Sequence, residues 1–236
     1  MSALFLLAAL VCGSPSGPEI SFDLKRAERV NAGSMMQAEK RDPSDVILAL
    51  KRAFAHYPEE FLRREVKTVY IVSTMKSEDG VEYGGTVGDD GKSVILAVED
   101  VTPDWVESTF HHETAHLLME HHGNDFPRKK WNQTAAPTFR YDHVSDGGYG
   151  ALKSGDANDV PDPQLNAQGL LNAYGASCFD EDWATFAAGV IGATTEFTKL
   201  TKRYPRIFRR AKVVEEFYER VCPGWQGGRS DVASGF

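Results

Sequence analysis

The sequence has little positive charge: 26 lysine and arginine residues stand against 34 aspartate and glutamate residues, which gives a net charge of −8. Proteins that bind nucleic acid neutralise its phosphates with lysine and arginine, so this balance excludes nucleic acid as the main partner. The hydrophobic share of 42% is ordinary for a globular protein, and 236 residues can bury a core in one large domain or two small lobes.

The N-terminal apolar run is too short to cross a bilayer. It extends from Ala3 to Val11 and is followed by small residues and a proline, which is the outline of a secretory signal peptide over residues 1–13. No lysine or arginine precedes the run, and a buried helix of the folded protein is the alternative. We expect a secreted or periplasmic protein; a lipid attached at Cys12, giving a membrane-anchored lipoprotein, is the second option.

Cysteine is scarce, with three residues in the chain. If Cys12 leaves with the signal peptide or carries a lipid, Cys178 and Cys222 remain as one even pair. An oxidising compartment favours a disulfide between them. Two unpaired, buried thiols are the alternative, because cysteine is often a small core residue.

Apolar periodicity changes along the chain and predicts an α+β fold. Between Pro43 and Tyr57 apolar residues recur at helical spacing. Residues with β-branched side chains dominate Val66–Thr74 and Ser93–Val98, which predicts two strands of one small sheet. Residues 14–42 show no deciding pattern and are predicted to form a tether or a short pro-region.

A long helix is predicted after the second strand. Thr102 can cap its N-terminus, Pro103 suits the first helical position, and Asp104 adds negative charge at the positive end of the helix dipole. The helix should extend to about His122, because Gly123 follows and can end it.

Beyond this helix the pattern fails, and Asn124–Gln168 is predicted to be a long irregular insertion with short helices. Helical periodicity returns from Glu181 onward, so the C-terminal part is predicted to be helical. Basic residues cluster there on what we interpret as a solvated helix face, with contact to an anionic surface as the alternative. The cluster consists of Lys199, Lys202, Arg203, Arg206, Arg209, Arg210 and Lys212.

Five of the seven histidines lie in the stretch FHHETAHLLMEHHG, Phe110–Gly123. Within it, His112, Glu113 and His116 form an H-E-x-x-H motif. On a helix the two histidines lie on one face and can bind one zinc ion. Glu113 lies roughly 100° around the helix, where its carboxylate can act as a general base on a water molecule without being a ligand. A catalytic zinc site needs a third protein ligand and an open fourth position.

His122 is one candidate for the third ligand, since it stands ten residues after His112 as in the longer motif of the metzincin peptidases. That motif needs a glycine where this chain has Met119, and no methionine follows to form the methionine turn of that class. His111, His121 and His122 are therefore predicted to be surface residues or residues that support the ligands from behind.

The other candidate is Glu181, which begins a helix after a loop and would complete a set of two histidines and one glutamate. Tyr174 and Gly175 precede it, and Asp182, Trp183 and Ala184 follow it. This order behind H-E-x-x-H resembles the catalytic domain of the anthrax lethal factor type of gluzincin peptidases. It resembles still more closely the secreted bacterial proteins described as zinc-binding metallopeptidases. The resemblance covers roughly residues 93–221.

The resemblance implies a role for each matching residue. His112, His116 and Glu181 would bind Zn²⁺, and Glu113 would be the general base. Tyr174 would donate a hydrogen bond to the oxyanion.

One position departs from the family pattern. An acidic residue is usual four positions after the third ligand, and this chain has Thr185 there. Either Asp182, Asp180 or Glu120 orients a ligating histidine in its place, or the affinity for the metal is reduced. As a thiolate, Cys178 would be an alternative zinc ligand.

These observations predict a zincin-like α+β metallopeptidase domain over residues 43–236, with a small sheet, an active-site helix and a helical C-terminal lobe. The expected function is a zinc-dependent endopeptidase acting on a protein or peptide. The alternatives are a non-catalytic zinc-binding protein of the same fold and a zinc amidase with a non-protein substrate. We expect Ser93–Val98 to be an edge strand that holds an extended peptide, and Asn124–Gln168 to set specificity.

Overall fold

The computed structural model of the protein describes residues 17–143 and 148–227, and this part of the chain is α+β. Its strands are β1 Glu19–Ser21, β2 Ser34–Ala38, β3 Thr68–Ser77, β4 Gly85–Val87 and β5 Ser93–Ala97. Its helices are α1 Leu24–Val30, α2 Ser44–Phe54, α3 Glu59–Glu65, α4 Pro103–His122, α5 Arg128–Asn132, α6 Tyr149–Ser154, α7 Pro163–Gln168, α8 Ala173–Ser177, α9 Phe179–Gly192, α10 Thr195–Arg203 and α11 Pro205–Val221. The predicted signal peptide and Cys12 lie outside the described residues.

The sheet is built around β3. On one side β1 pairs in parallel with the first part of β3 and β2 pairs antiparallel with its second part. On the other side β5 pairs in parallel with β3, and β4 pairs antiparallel with β5. Every residue of β5 is buried, as is the first half of β3, which explains their continuous apolar runs. The two strands predicted from composition are confirmed as neighbours in one sheet.

The tether prediction for residues 14–42 does not agree with this sheet, because the segment contributes β1, α1 and β2. Glu19 of β1 pairs with Thr68 of β3 and forms a salt bridge with Arg26 of α1 at 2.5 Å. A strand of three residues has no periodicity that a sequence pattern can show. Removal of residues before 43 as a pro-region stays a prediction.

The edge position predicted for Ser93–Val98 is wrong. Strand β5 has a neighbour on both sides, and β4 is the strand that lies outside it. Gly84 and Gly85 let this edge approach the long helix. A Cβ atom at Gly84 would lie 2.4 Å from the ring of Trp105, and one at Gly85 would lie 2.5 Å from Oε1 of Glu113.

The long helix α4 has the bounds that the sequence predicts. The side chain of Thr102 accepts a hydrogen bond from the backbone N–H of Trp105 at 3.2 Å, and Pro103 opens the helix. Helix α4 packs against α2, α9, β4 and β5, so the main core surrounds it. It therefore joins the sheet lobe to the C-terminal helices.

The C-terminal part is helical, as predicted, and α9 lies along α4. Trp183 is fully buried, and its indole N–H donates to the carbonyl of Ala115 at 3.0 Å. The solvated face predicted for the basic cluster is wrong at Arg210, which is buried and forms a salt bridge with Asp182. The predicted irregular insertion contains α5, α6 and α7 in its described parts. Within the described residues, no helix has both the length and the apolar character needed to cross a bilayer.

Candidate metal centre

Three side chains from two helices form a small triangle. His112 and His116 lie one turn apart on α4, with their Nε2 atoms 3.1 Å from each other. Oε2 of Glu181, in the first turn of α9, lies 3.0 Å from Nε2 of His112 and 3.7 Å from Nε2 of His116. All three side chains are largely buried.

The spacing of these atoms fits a zinc ion. Ligand atoms about 2.0–2.1 Å from a tetrahedral ion lie roughly 3.3 Å apart, which is close to all three separations in the triangle. Burial alone would lower the pKa of His116, but the hydrogen bond with Glu181 and nearby carboxylates raise it to about 9. Burial would likewise raise the pKa of Glu181, and the two histidines outweigh it and hold that pKa well below its usual range. The triangle thus favours a positive charge at its centre.

Glu113 directly follows His112 on α4 and lies beside the triangle. Its side chain is buried, and burial raises the pKa of its carboxyl group, although His112 and His116 oppose this shift. Its Oε1 atom lies against the backbone of Gly85 in β4. The carboxylate is therefore held between the histidines and the edge of the sheet.

Tyr174 is brought to the site by the short helix α8. Asn172 caps this helix by accepting a hydrogen bond from the N–H of Gly175 at 2.7 Å. The ring of Tyr174 stacks on that of His112, with centroids 6.1 Å apart and planes 22° apart. Burial, followed by the carboxylates of Glu181 and Glu113, raises the pKa of Tyr174 well above its usual range, so its hydroxyl keeps its proton.

The residues predicted to orient a ligating histidine lie elsewhere. Asp182 is buried beside Arg210, and its Oδ2 atom accepts a hydrogen bond from the hydroxyl of Tyr141 at 2.6 Å. Asp180 is exposed and affects His116 through its charge. Glu120 is exposed near the end of α4, beside Gly91. Asp182 therefore anchors the first turn of α9.

The predicted disulfide between Cys178 and Cys222 is not formed, and both residues are buried free thiols. Cys178 precedes the first residue of α9, whereas Cys222 follows the last residue of α11, with its backbone N–H bonded to Tyr218. Burial raises the pKa of the Cys178 thiol, which disfavours the thiolate that would bind zinc.

The remaining histidines of the motif stretch have other partners. His121 and His122 contact Glu65, with closest nitrogen–oxygen distances of 2.7 Å and 3.2 Å. His122 therefore lies away from the triangle, as predicted. His111 was expected at the surface or behind the ligands; it is fully buried, and its Nδ1 atom lies 2.9 Å from the hydroxyl of Tyr57.

The triangle opens into a cleft of about 770 Å³. Its lining includes residues of β4, α4, α8, α9 and α10. Thr185, at the position that departs from the family pattern, is part of this lining. Apolar side chains make up much of the rest, namely Val87, Trp105, Leu152, Leu171, Phe197 and Leu200.

Helix α6 forms part of the cleft, and no sequence pattern predicts it. In α6, the hydroxyl oxygen of Tyr149 lies 3.1 Å from that of Ser77, and Lys153 forms a salt bridge with Asp79 at 2.6 Å. Gly148, just before α6, has φ +85°, and a Cβ atom there would lie 2.6 Å from Cγ of Glu181. A glycine inside an irregular insertion is the sequence signal that could have marked this contact.

No family model matches the chain, and no curated protein matches it. A solved structure from Bacteroides caccae, described as a "putative zinc-binding metallo-peptidase", is similar with a TM-score of 0.46 and 15% sequence identity. The match covers 78% of this chain and 72% of the other.

Proposed function

We propose that the protein is a zinc-dependent endopeptidase of the gluzincin type that hydrolyses a protein or peptide substrate. The observation that carries this proposal is the triangle of His112, His116 and Glu181, whose three atoms have the spacing of ligands on one tetrahedral ion. The carboxylate of Glu113 lies beside it. The proposed location is secreted or periplasmic, with a lipid anchor at Cys12 as the alternative.

Two side chains beside the ligands would carry out the proton and charge chemistry. When bound, zinc would act as a Lewis acid that polarises a carbonyl group and lowers the pKa of water. The carboxylate of Glu113 takes the proton of the attacking water and passes it to the leaving nitrogen. The hydroxyl of Tyr174 donates a hydrogen bond to the carbonyl oxygen as negative charge develops there.

The edge strand β4 offers a place for the substrate main chain. The carbonyl of Gly84 accepts from Ala97 N–H, and Gly88 N–H donates to Ser93 O, both at 2.8 Å. Because inward and outward groups alternate along an antiparallel strand, the backbone groups of Gly85 and Val87 point away from β5. An extended peptide can pair with them as an added strand, beside the apolar lining of the cleft.

The first test is hydrolysis of an unbiased peptide mixture by the zinc-loaded chain, read by mass spectrometry. A Glu113→Gln variant with the same zinc content should lose cleavage, whereas Glu120→Gln, a change of the same kind at an exposed position of α4, should retain it. Cleavage that persists in Glu113→Gln would overturn the proposed mechanism.

The same experiment separates the alternative functions. A folded, zinc-loaded chain that cleaves no peptide but hydrolyses small non-protein amides would be a zinc amidase. If it hydrolyses neither, the protein is a non-catalytic zinc-binding protein, and Thr185 is the first position to replace with an acidic residue.

A further inference from the structure

A second group of possible ligands includes two residues of α4, and one of them, His111, directly precedes the first motif histidine. Glu107 and His111 are four residues apart on this helix, and His56 reaches them from the turn between α2 and α3. One ligand atom of each lies within 4.8 Å of the other two. Nε2 of His56 and Oε1 of Glu107 are 3.4 Å apart, close to the roughly 3.3 Å expected for two ligands on one tetrahedral zinc ion.

In both histidines Nδ1 has a hydrogen-bond partner, which leaves Nε2 for a metal ion. Nδ1 of His56 lies 2.7 Å from the carbonyl oxygen of Gln226, and the N–H of Gln226 donates to the carbonyl of His56 at 2.7 Å. A carbonyl only accepts, so Nδ1 of His56 carries the proton, and the neutral ring presents a lone pair at Nε2. Nδ1 of His111 is engaged by the hydroxyl of Tyr57. Such outer hydrogen bonds are typical of histidines that bind metals.

His111 supplies a second, independent observation. Its side chain is fully buried, and its Nε2 atom has no hydrogen-bond partner among the described residues. A buried polar atom without a partner is costly, and its presence needs an explanation. The rings of His56 and His111 meet edge to face, with centroids 5.2 Å apart and planes at 86°. A metal ion between them would satisfy the unpaired nitrogen.

In the cluster of Glu65, His121 and His122, Nε2 of His122 is also buried without a hydrogen-bond partner in the described part of the chain, but it lies 3.2 Å from the carboxylate of Glu65. Both ring nitrogens of His121 already have partners, Glu65 and the carbonyl of Gly91. Arg64 also binds the carboxylate of Glu65 at 2.8 Å. The carboxylate of Glu65 is thus shared by Arg64 and both histidines, and the cluster is an ion-pair network.

Glu107 keeps one oxygen atom available. Arg52 binds its Oε2 atom at 2.9 Å, whereas Oε1 faces His56. Two imidazoles and one carboxylate suit zinc or a similar divalent transition metal. His56 and Glu107 are partly exposed, so water can reach a fourth position.

We propose that His56, Glu107 and His111 form a second zinc site, distinct from the triangle of His112, His116 and Glu181. Its role is structural, because it joins three segments of the chain. These are the turn after α2, the helix that carries the H-E-x-x-H motif, and the segment at Gln226. The two sites lie on different faces of α4, so each can be removed without changing a ligand of the other.

Metal content after equilibration with Zn²⁺ and removal of free metal tests this proposal. The unmodified chain should bind two equivalents, and His116→Gln and His56→Gln should each bind one. The double variant should bind none. His121→Gln, a change at another partly exposed histidine of α4, should keep two.

Thermal unfolding gives a readout that does not depend on activity. Zn²⁺ should raise the Tm of His116→Gln and should not raise that of the double variant. If His116→Gln binds no zinc, or if both His56→Gln and Glu107→Gln retain two equivalents, the second site does not exist. If the unmodified chain binds one equivalent that survives in His116→Gln and is lost in His56→Gln, this proposal stands and the proposed catalytic centre fails.

Discussion

Oε2 of Glu181 lies 3.0 Å from Nε2 of His112, although 69 residues separate the two along the chain. The packing of α9 along α4 brings them together, with Trp183 hydrogen-bonded to the backbone of α4. The relative position of these two candidate ligands therefore depends on the contact between two helices.

Replacing Glu181 with glutamine keeps the size of the side chain and removes its charge. We expect zinc affinity to fall by more than about 100-fold, since even residues behind a ligand change affinity about 10- to 100-fold. Competition with a chelating dye measures this loss. Asp180→Asn, an exposed neutralisation one position earlier, should change zinc affinity far less than Glu181→Gln does. Equal affinity in the parent and Glu181→Gln would remove Glu181 from the ligand set.

Tyr174→Phe removes the hydroxyl while keeping the ring that stacks on His112. We expect kcat to fall by about 10²- to 10³-fold, as for other lost oxyanion donors, with zinc content and KM unchanged. Steady-state kinetics on a peptide found in the mixture experiment supplies the measurement. A rise in KM at constant kcat would instead indicate that the residue only binds substrate.

Val87→Pro removes an outward N–H from the edge of β4 without removing a bond to β5. Loss of one hydrogen bond of about 0.5–1.5 kcal/mol should raise KM about two- to tenfold. Val87→Ala, which trims the side chain and keeps the N–H, separates main-chain pairing from side-chain contact. Zinc content should be the same in both variants. A larger KM in Val87→Ala than in Val87→Pro would exclude pairing at this position.

Arg210→Met leaves the carboxylate of Asp182 buried without its cation. Breaking a buried ion pair from one side costs about 3–5 kcal/mol, so urea should unfold the variant at much lower concentration. Adding Asp182→Asn removes the stranded charge and should restore a large part of the lost stability. If the double variant is less stable than Arg210→Met alone, the two residues do not form a coupled pair.

Acid should destabilise the protein partly through Glu65. Burial opposes the shift, but hydrogen bonds from His121 and Arg64, together with the nearby imidazole of His122, hold the pKa of Glu65 below its usual value of 4.5 in the folded state. Its stabilising contribution is therefore present above about pH 4.5 and is lost as the pH falls through the folded-state pKa.

Urea unfolding measured across this pH range compares Glu65→Gln with the parent. The variant should lose less stability on acidification. Glu60→Gln, an exposed change on the same helix α3, should follow the parent curve. Identical slopes in Glu65→Gln and the parent would show that another group titrates there.

The sequence alone was sufficient to predict elements that have a regular residue pattern or a local capping signal. The capped helix from Pro103 and the two β-rich runs follow from local patterns, and their structure agrees. The proximity of Glu181 to the histidines was predicted only through a family resemblance, because local periodicity carries no information about which helices pack together.

The wrong predictions share a physical cause: the features concerned depend on contacts between residues that are far apart in the sequence. Strands β1 and β4 have three residues each and form because β3 and β5 are available to pair with them. Arg210 resembles its solvated basic neighbours in sequence, and burial at Asp182 distinguishes it only in the folded chain. The two cysteines form an even pair by count, yet they end up at the ends of different helices.

The shortness of β4 also bears on self-association. A free sheet edge is a template on which strands of other molecules can pair and begin to aggregate. Here the exposed ladder is three residues long and is seated through Gly84 and Gly85 against Trp105 and Glu113. So short and recessed an edge disfavours the addition of a strand from a second copy of the folded protein. The chain can thus keep an open edge in its cleft with little risk of forming fibres.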